Sequence, residues 1–195
     1  MPLMHAWLEA GVVALTAIVG STDPALEYSE RRETYAVQGA TRKELHAALR
    51  HAHAADRDDD EPDGSVARTA QELSMRFELE PVEGGCRLKD LVVTLDVTIH
   101  LPEWVPEVAP RGGLLEDWGR MRDALERHEE GHRDIALDSA RHLLASLREL
   151  GRQSDCQALR REAHKAFFRA QLRHSVRDGA YEHRTRHGVA QGAVL

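Results

Sequence analysis

The chain has 195 residues, enough for one domain with its own core, and its 42% apolar and 30% charged content is that of a folded soluble protein. A net charge of −7, with Arg nearly always interleaved with Asp or Glu, excludes the basic stripe of a nucleic-acid binder and gives no ground for a membrane-surface role. The two cysteines, Cys86 and Cys156, belong to no C-x-x-C pair, which excludes a Cys-type zinc site or a thioredoxin-like motif.

Residues 11–20 form an apolar run followed by the turn-prone Ser21-Thr22-Asp23-Pro24. The run has the length of a signal-peptide h-region and is too short for a membrane span, so residues 1–21 read as a secretory leader. Residues 1–7 carry no Lys or Arg, which keeps a packed N-terminal apolar helix as the alternative. Residues 33–195 then form a single domain. Export would allow a Cys86–Cys156 disulfide tying the sheet to the end of the long helix, whereas a cytosolic chain would hold two buried thiols.

Residues 33–38 read as a short strand. Thr41 with Glu44 makes a capping box that opens a helix to about His53. Residues 56–64 are a hydrophilic connector; an EF-hand loop would need Gly where Glu61 stands. Leu73, Met75, Phe77 and Leu79 alternate with polar residues, and so do Val93, Leu95, Val97, Ile99 and Leu101. These predict two half-buried antiparallel strands joined by a loop at 81–85. A long helix follows over about 115–150. Gly151 closes it, and Ser154 or Asp155 caps a second helix that runs to about Val176. The short turn makes the two helices antiparallel neighbours and puts Gln171 and His174 level with the middle of the first. Residues 181–192 are left as a Gly-rich, His-bearing tail. The expected fold is α+β, a small antiparallel sheet packed on a helical hairpin.

The long helix carries His128-Glu129-Glu130-Gly131-His132, an H-E-x-x-H signature. Residues four apart project from one helix face, so two neutral imidazoles can share one Zn²⁺, and Glu129 beside them can serve as general base. Trp118, Met121, Leu125, His128, His132, Ile135 and Ser139 recur every three or four residues, which puts both histidines on the apolar stripe. The opposite face carries Arg120, Asp123, Arg127, Glu130, Arg133, Asp134 and Arg141. Chance histidines would fall among those charges more often than on the stripe.

Tyr35-Ala36-Val37-Gln38-Gly39-Ala40-Thr41 with Glu44-Leu45, then Leu101-Pro102-Glu103-Trp104, the segment 128–135, and 181–188 with Gln191-Gly192 occur here in a specific order. In this order they resemble a family of predicted bacterial secreted zinc-dependent proteases of unknown function, over residues 34–195. The resemblance implies export and a zinc peptidase. The chain departs from the family pattern at Glu182, where Asp is expected.

A catalytic zinc takes three protein ligands and an open position. The helix itself supplies no third one. Asp138 stands where some zinc proteases place it, but reaching the metal from there needs a Gly-permitted turn, and Ile135 occupies that position. His187 in the tail is the first choice, with Gly188 and Gly192 allowing close backbone approach. Glu182 and His174 are alternatives, and His164 and His142 follow them. The expected activity is hydrolysis of a peptide or protein substrate, with zinc held by His128, His132 and His187, Glu129 as base, and Tyr181 as an oxyanion donor. An edge strand near the site, with residues 92–101 the candidate, would hold the extended peptide by β-addition. The mature chain is expected to have no membrane span and no nucleic-acid partner. The competing reading is a non-catalytic zinc module that stabilises a helical interaction domain.

Overall fold

The computed structural model describes residues 15–17, 23, 25–55, 66–106, 108–110 and 112–195. Most of the expected leader and the connector at 56–64 lie outside the described residues. Four strands form one sheet: β1 (Leu15–Ala17), β2 (Leu26–Val37), β3 (Arg68–Val82) and β4 (Gly85–Trp104), in the order β1-β2-β4-β3. Between β2 and β3 runs α1 (Arg42–Ala55), and after β4 come α2 (Leu114–Glu149) and α3 (Cys156–Thr185).

β4 is the backbone of the core. Val93, Leu95, Val97, Ile99 and Leu101 are each 1% exposed or less, because every second residue of a strand faces the same layer and here that layer is α2 and α3. β3 pairs with β4 antiparallel through a tight turn after Val82, close to the expected loop. β2, however, runs parallel to β4, so the sheet is mixed rather than antiparallel. β4 is therefore internal, which corrects the expectation that residues 92–101 form an edge. Among the described residues that edge belongs to β3.

β2 is also twice the expected length, and the reason is chemical. Two of its helix-facing side chains, Glu30 and Arg32, are charged and so break the apolar alternation that marks a strand. They are matched instead to α2: Arg32 pairs with Glu126 and Glu130, and Arg133 lies 3.6 Å from Glu30. Three residues of the N-terminal apolar run, Leu15–Ala17, pair antiparallel with β2, so at that point the run is strand and not helix.

The capping box forms as expected, with the Glu44 carboxylate accepting from Thr41 N and the Thr41 hydroxyl accepting from Glu44 N. Asp155 caps α3 by accepting from Ala158 N. Cys86 and Cys156 are disulfide-bonded, with their Cα atoms 5.0 Å apart. The contacts between α2 and α3 pair later residues of one with earlier residues of the other: Asp138 with Arg177, His132 with Asp178, and His128 with Glu182. The two helices are thus an antiparallel hairpin on one face of the sheet. α3 does not stop near Val176 but continues to Thr185. Its inward positions after Ala170 are occupied by His174, Asp178, Tyr181, Glu182 and Thr185, so the apolar period fades while the helix goes on.

Candidate metal centre

α2 places His128 and His132 one turn apart on its buried face, with 3% and 9% exposure. Their Nε2 atoms lie 3.3 Å from each other. Oε1 of Glu182, on the last turns of α3, is 2.8 Å from His132 Nε2 and 3.4 Å from His128 Nε2. Two imidazole nitrogens and one carboxylate oxygen therefore converge on a single point. These are the three residues among those described whose donor atoms are grouped closely enough to hold a metal ion.

The far side of each ring explains why these atoms point where they do. His128 Nδ1 is 2.9 Å from Gln191 Oε1, and His132 Nδ1 is 2.6 Å from a carboxylate oxygen of Asp178. Each acceptor requires the proton on Nδ1, which leaves the Nε2 lone pair facing the shared point. The three converging atoms lie 2.8–3.4 Å from one another, close enough that together they could hold a metal ion. The Tyr181 ring stacks on His128 with its centroid 5.2 Å away, and its hydroxyl donates to the His128 carbonyl at 3.1 Å. Gln191 in turn donates to the Tyr181 hydroxyl at 3.2 Å.

Two glycines let the elements come this close. A Cβ on Gly131 would stand 2.1 Å from the Tyr181 hydroxyl, so only a bare Cα permits α3 to seat there. Gly188 has φ +80°, and a Cβ on it would press on Ala193 and on the His128 ring. The chain leaves α3 through three successive left-handed residues, Arg186, His187 and Gly188, and this reversal carries Gln191 back onto His128.

Glu129 is 2% exposed, and its carboxylate accepts from the Thr69 hydroxyl of β3 at 2.8 Å. Burial pushes its pKa above the ordinary carboxylate range, against the opposing pull of the Thr69 hydrogen bond and the histidines. Burial would lower His132, but the hydrogen bonds to Asp178 and Glu182 outweigh it and push the imidazole up to about 10. Glu182 responds in the opposite sense: despite its burial, His128 and His132 hold it well below the ordinary range. Without a metal the three converging atoms are thus held together by protons on the imidazoles.

The structure brings together His128, Glu129 and His132 from the expected set, and places His187 one contact further out. The His187 imidazole is half-exposed, with Nδ1 2.9 Å from Glu182 Oε2, the carboxylate oxygen on the side away from the histidine pair. Glu182, one of the alternatives, occupies the third position. The hairpin is shifted by one turn from the expected level: His174 contacts Gln71 of β3 instead of the cluster, and Asp178, Tyr181 and Glu182 stand opposite the histidines. His142 hydrogen-bonds the Asp138 carbonyl, and His164 is exposed on the outside of α3. Asp138 continues α2 and pairs with Arg177. The Tyr181 hydroxyl, expected as an oxyanion donor, donates here to the His128 carbonyl and accepts from Gln191. Sequence reasoning missed Asp178 and Gln191. The signal for Asp178 is its spacing of four from Glu182, which puts both carboxylates on one face of the same helix.

Residues 32–188 match the model of a family described as a bacterial protein of unknown function (DUF922). No curated protein and no solved structure matches the chain.

Proposed function

The chain belongs to the DUF922 family of bacterial proteins of unknown function, and on that premise we propose that it is a zinc-dependent peptidase acting outside the cytoplasm. The observation that carries this reading is the convergence of His128 Nε2, His132 Nε2 and Glu182 Oε1 on one point, with a buried carboxylate, Glu129, on the same helix turn. His128, His132 and Glu182 hold the ion; Gln191 and Asp178 fix the tautomers that let them. A bound zinc ion supplies a Lewis acid that polarises the scissile carbonyl and acidifies water at the site.

Glu129 would take a proton from the water whose oxygen adds to the scissile carbonyl carbon, and would deliver it to the amine nitrogen as the C–N bond breaks. A carboxylate whose pKa is raised by burial suits this work, because a base operates best when its pKa approaches the working pH. Thr69 holds the carboxylate from β3 and so ties the base to the edge strand. The side of β3 turned away from β4, which no described strand covers, is where an extended peptide can add as a further strand. Beside it, a cavity of about 190 Å³ between Gln71, Leu73, Ala136, Ser139 and His174 gives room for one uncharged side chain of the substrate. The disulfide supports an oxidising compartment, and no helix among the described residues is long and apolar enough to cross a membrane.

The near-complete burial of Glu129 and His128 also favours a second reading, a structural zinc that clamps α2 to α3 without chemistry. Zinc content and hydrolysis of a mixed peptide library, measured on wild type, His128→Ala and Glu129→Gln, separate the two. For the peptidase we expect about one zinc in wild type and Glu129→Gln, little in His128→Ala, and cleavage by wild type alone. Zinc without cleavage by wild type, with a thermal midpoint that falls on chelation, would assign the structural role. Retained cleavage in Glu129→Gln would end the proposed mechanism.

A further inference from the structure

The inward face of α3 builds the metal centre, but its outward face is unlike the rest of the surface. Phe168, Leu172 and Val176 stand 73%, 62% and 63% exposed, at intervals of four residues that align them on one side of the helix. Arg161, Lys165 and Arg169 share that side, with Arg160, His164 and Arg173 at its margins. From residue 156 to residue 177 the helix has a single acidic side chain, Glu162, which is spent on Lys165 at 2.8 Å. An open depression of about 440 Å³ lies between Arg160, Arg161, His164, Lys165 and Phe168.

We propose that this face of α3 docks the protein on an anionic lipid surface. Three apolar side chains spaced over about 12 Å of helix can enter the headgroup boundary together while the arginines and the lysine meet lipid phosphates. A nucleic-acid backbone would satisfy the cations but leave the apolar row unused. The net charge of −7 opposes approach to such a surface. It does so weakly, because charges farther away than about 10 Å are screened at 0.1 M salt and the basic face is what lies within that distance. The expectation that Arg is interleaved with Asp or Glu fails on this face of the helix, whose cations are spread among inward-facing alanines and polar residues with Glu162 alone between them. The metal centre, on the opposite side of the same helix, is then held away from the lipid and open to substrates beside the membrane.

Flotation of the full chain with vesicles tests this independently of any zinc chemistry. The vesicles are phosphatidylcholine alone, or phosphatidylcholine with an equal part of phosphatidylglycerol. We expect binding to the anionic vesicles only, weakened by 0.5 M salt. It should be reduced at least tenfold both in Phe168→Ser/Leu172→Ser/Val176→Ser and in Arg161→Gln/Lys165→Gln/Arg169→Gln. All six positions are exposed, and circular dichroism checks that the variants keep the fold. Binding that survives in both variants would assign lipid contact to another part of the chain and overturn the proposal. So would no binding to either vesicle, and a wild-type dimer that the apolar variant turns into a monomer would then make the face an interface between copies.

Discussion

At the residue scale, His128 Nε2, His132 Nε2 and Glu182 Oε1 form a group that could hold a metal ion, and a proton on His132 would compete with that ion. Metal-free His132 has its pKa pushed up to about 10 by Asp178 and Glu182, against an ordinary value near 6.5. A raised pKa contributes stability that is fully present below about pH 6.5 and is lost as the pH rises through the folded value. Zinc requires the neutral imidazole, so its apparent affinity runs the other way and rises over that same interval. Zinc association at pH 7 should therefore release a proton from His132. Titration calorimetry in two buffers of different ionisation enthalpy should give different heats, and a buffer-independent heat would contradict the assignment. The pair Glu182 and His187 separates a ligand from its support. Glu182→Ala should lower zinc affinity by more than about 100-fold, whereas His187→Ala, which removes only an outer contact, should cost about tenfold. Equal losses would make His187 a ligand.

At the element scale the sequence was legible where apolar periodicity carried the structure and illegible where function displaced it. β4, α2 and the antiparallel strand β3 were readable because their inward positions are apolar or, for His128 and His132, sit on an apolar stripe. The first half of β2 was not, since its inward Glu30 and Arg32 are matched to charges that lie about a hundred residues later on α2. The last third of α3 was missed for the same reason, its inward face being given over to Asp178, Tyr181 and Glu182. The parallel pairing of β2 with β4 has no local signature at all, because the partners of a central strand are settled by the whole sheet. Gly131 shows how one position couples two of these elements. Nothing in its helix requires glycine, yet a Cβ there would meet the Tyr181 hydroxyl. Gly131→Ala should gain slightly in helix propensity and still lose about 1–3 kcal/mol of net stability by forcing α3 away, as overpacking does elsewhere. Urea denaturation measures this directly, and an unchanged midpoint would mean that Tyr181 moves aside at no cost.

At the scale of the whole molecule, α3 is held at both ends by different chemistry. Its first residue, Cys156, is bonded to Cys86 at the start of β4, and Gln153 exchanges two backbone hydrogen bonds with Cys86 at 2.9 Å. Its last turns carry Glu182, which reaches the histidines of α2. From 156 to 182 is 26 residues, about 39 Å along a helix, so the two clamps share no partner. The disulfide closes a sequence separation of 70 residues, for which chain entropy gives about 4 kcal/mol and measured bridges typically give about 2–4. Cys86→Ser/Cys156→Ser should therefore lose stability of that order while still binding zinc at the same stoichiometry. Chelating the metal in the wild type should remove a separate increment, equal to the free energy with which zinc binds the folded chain. Because distant sites act independently, the two losses should add to within about 0.5 kcal/mol when chelation and the double substitution are combined. A combined loss well short of that sum would mean that the ends of α3 communicate, and that the helix shifts as one rigid body when either clamp is released.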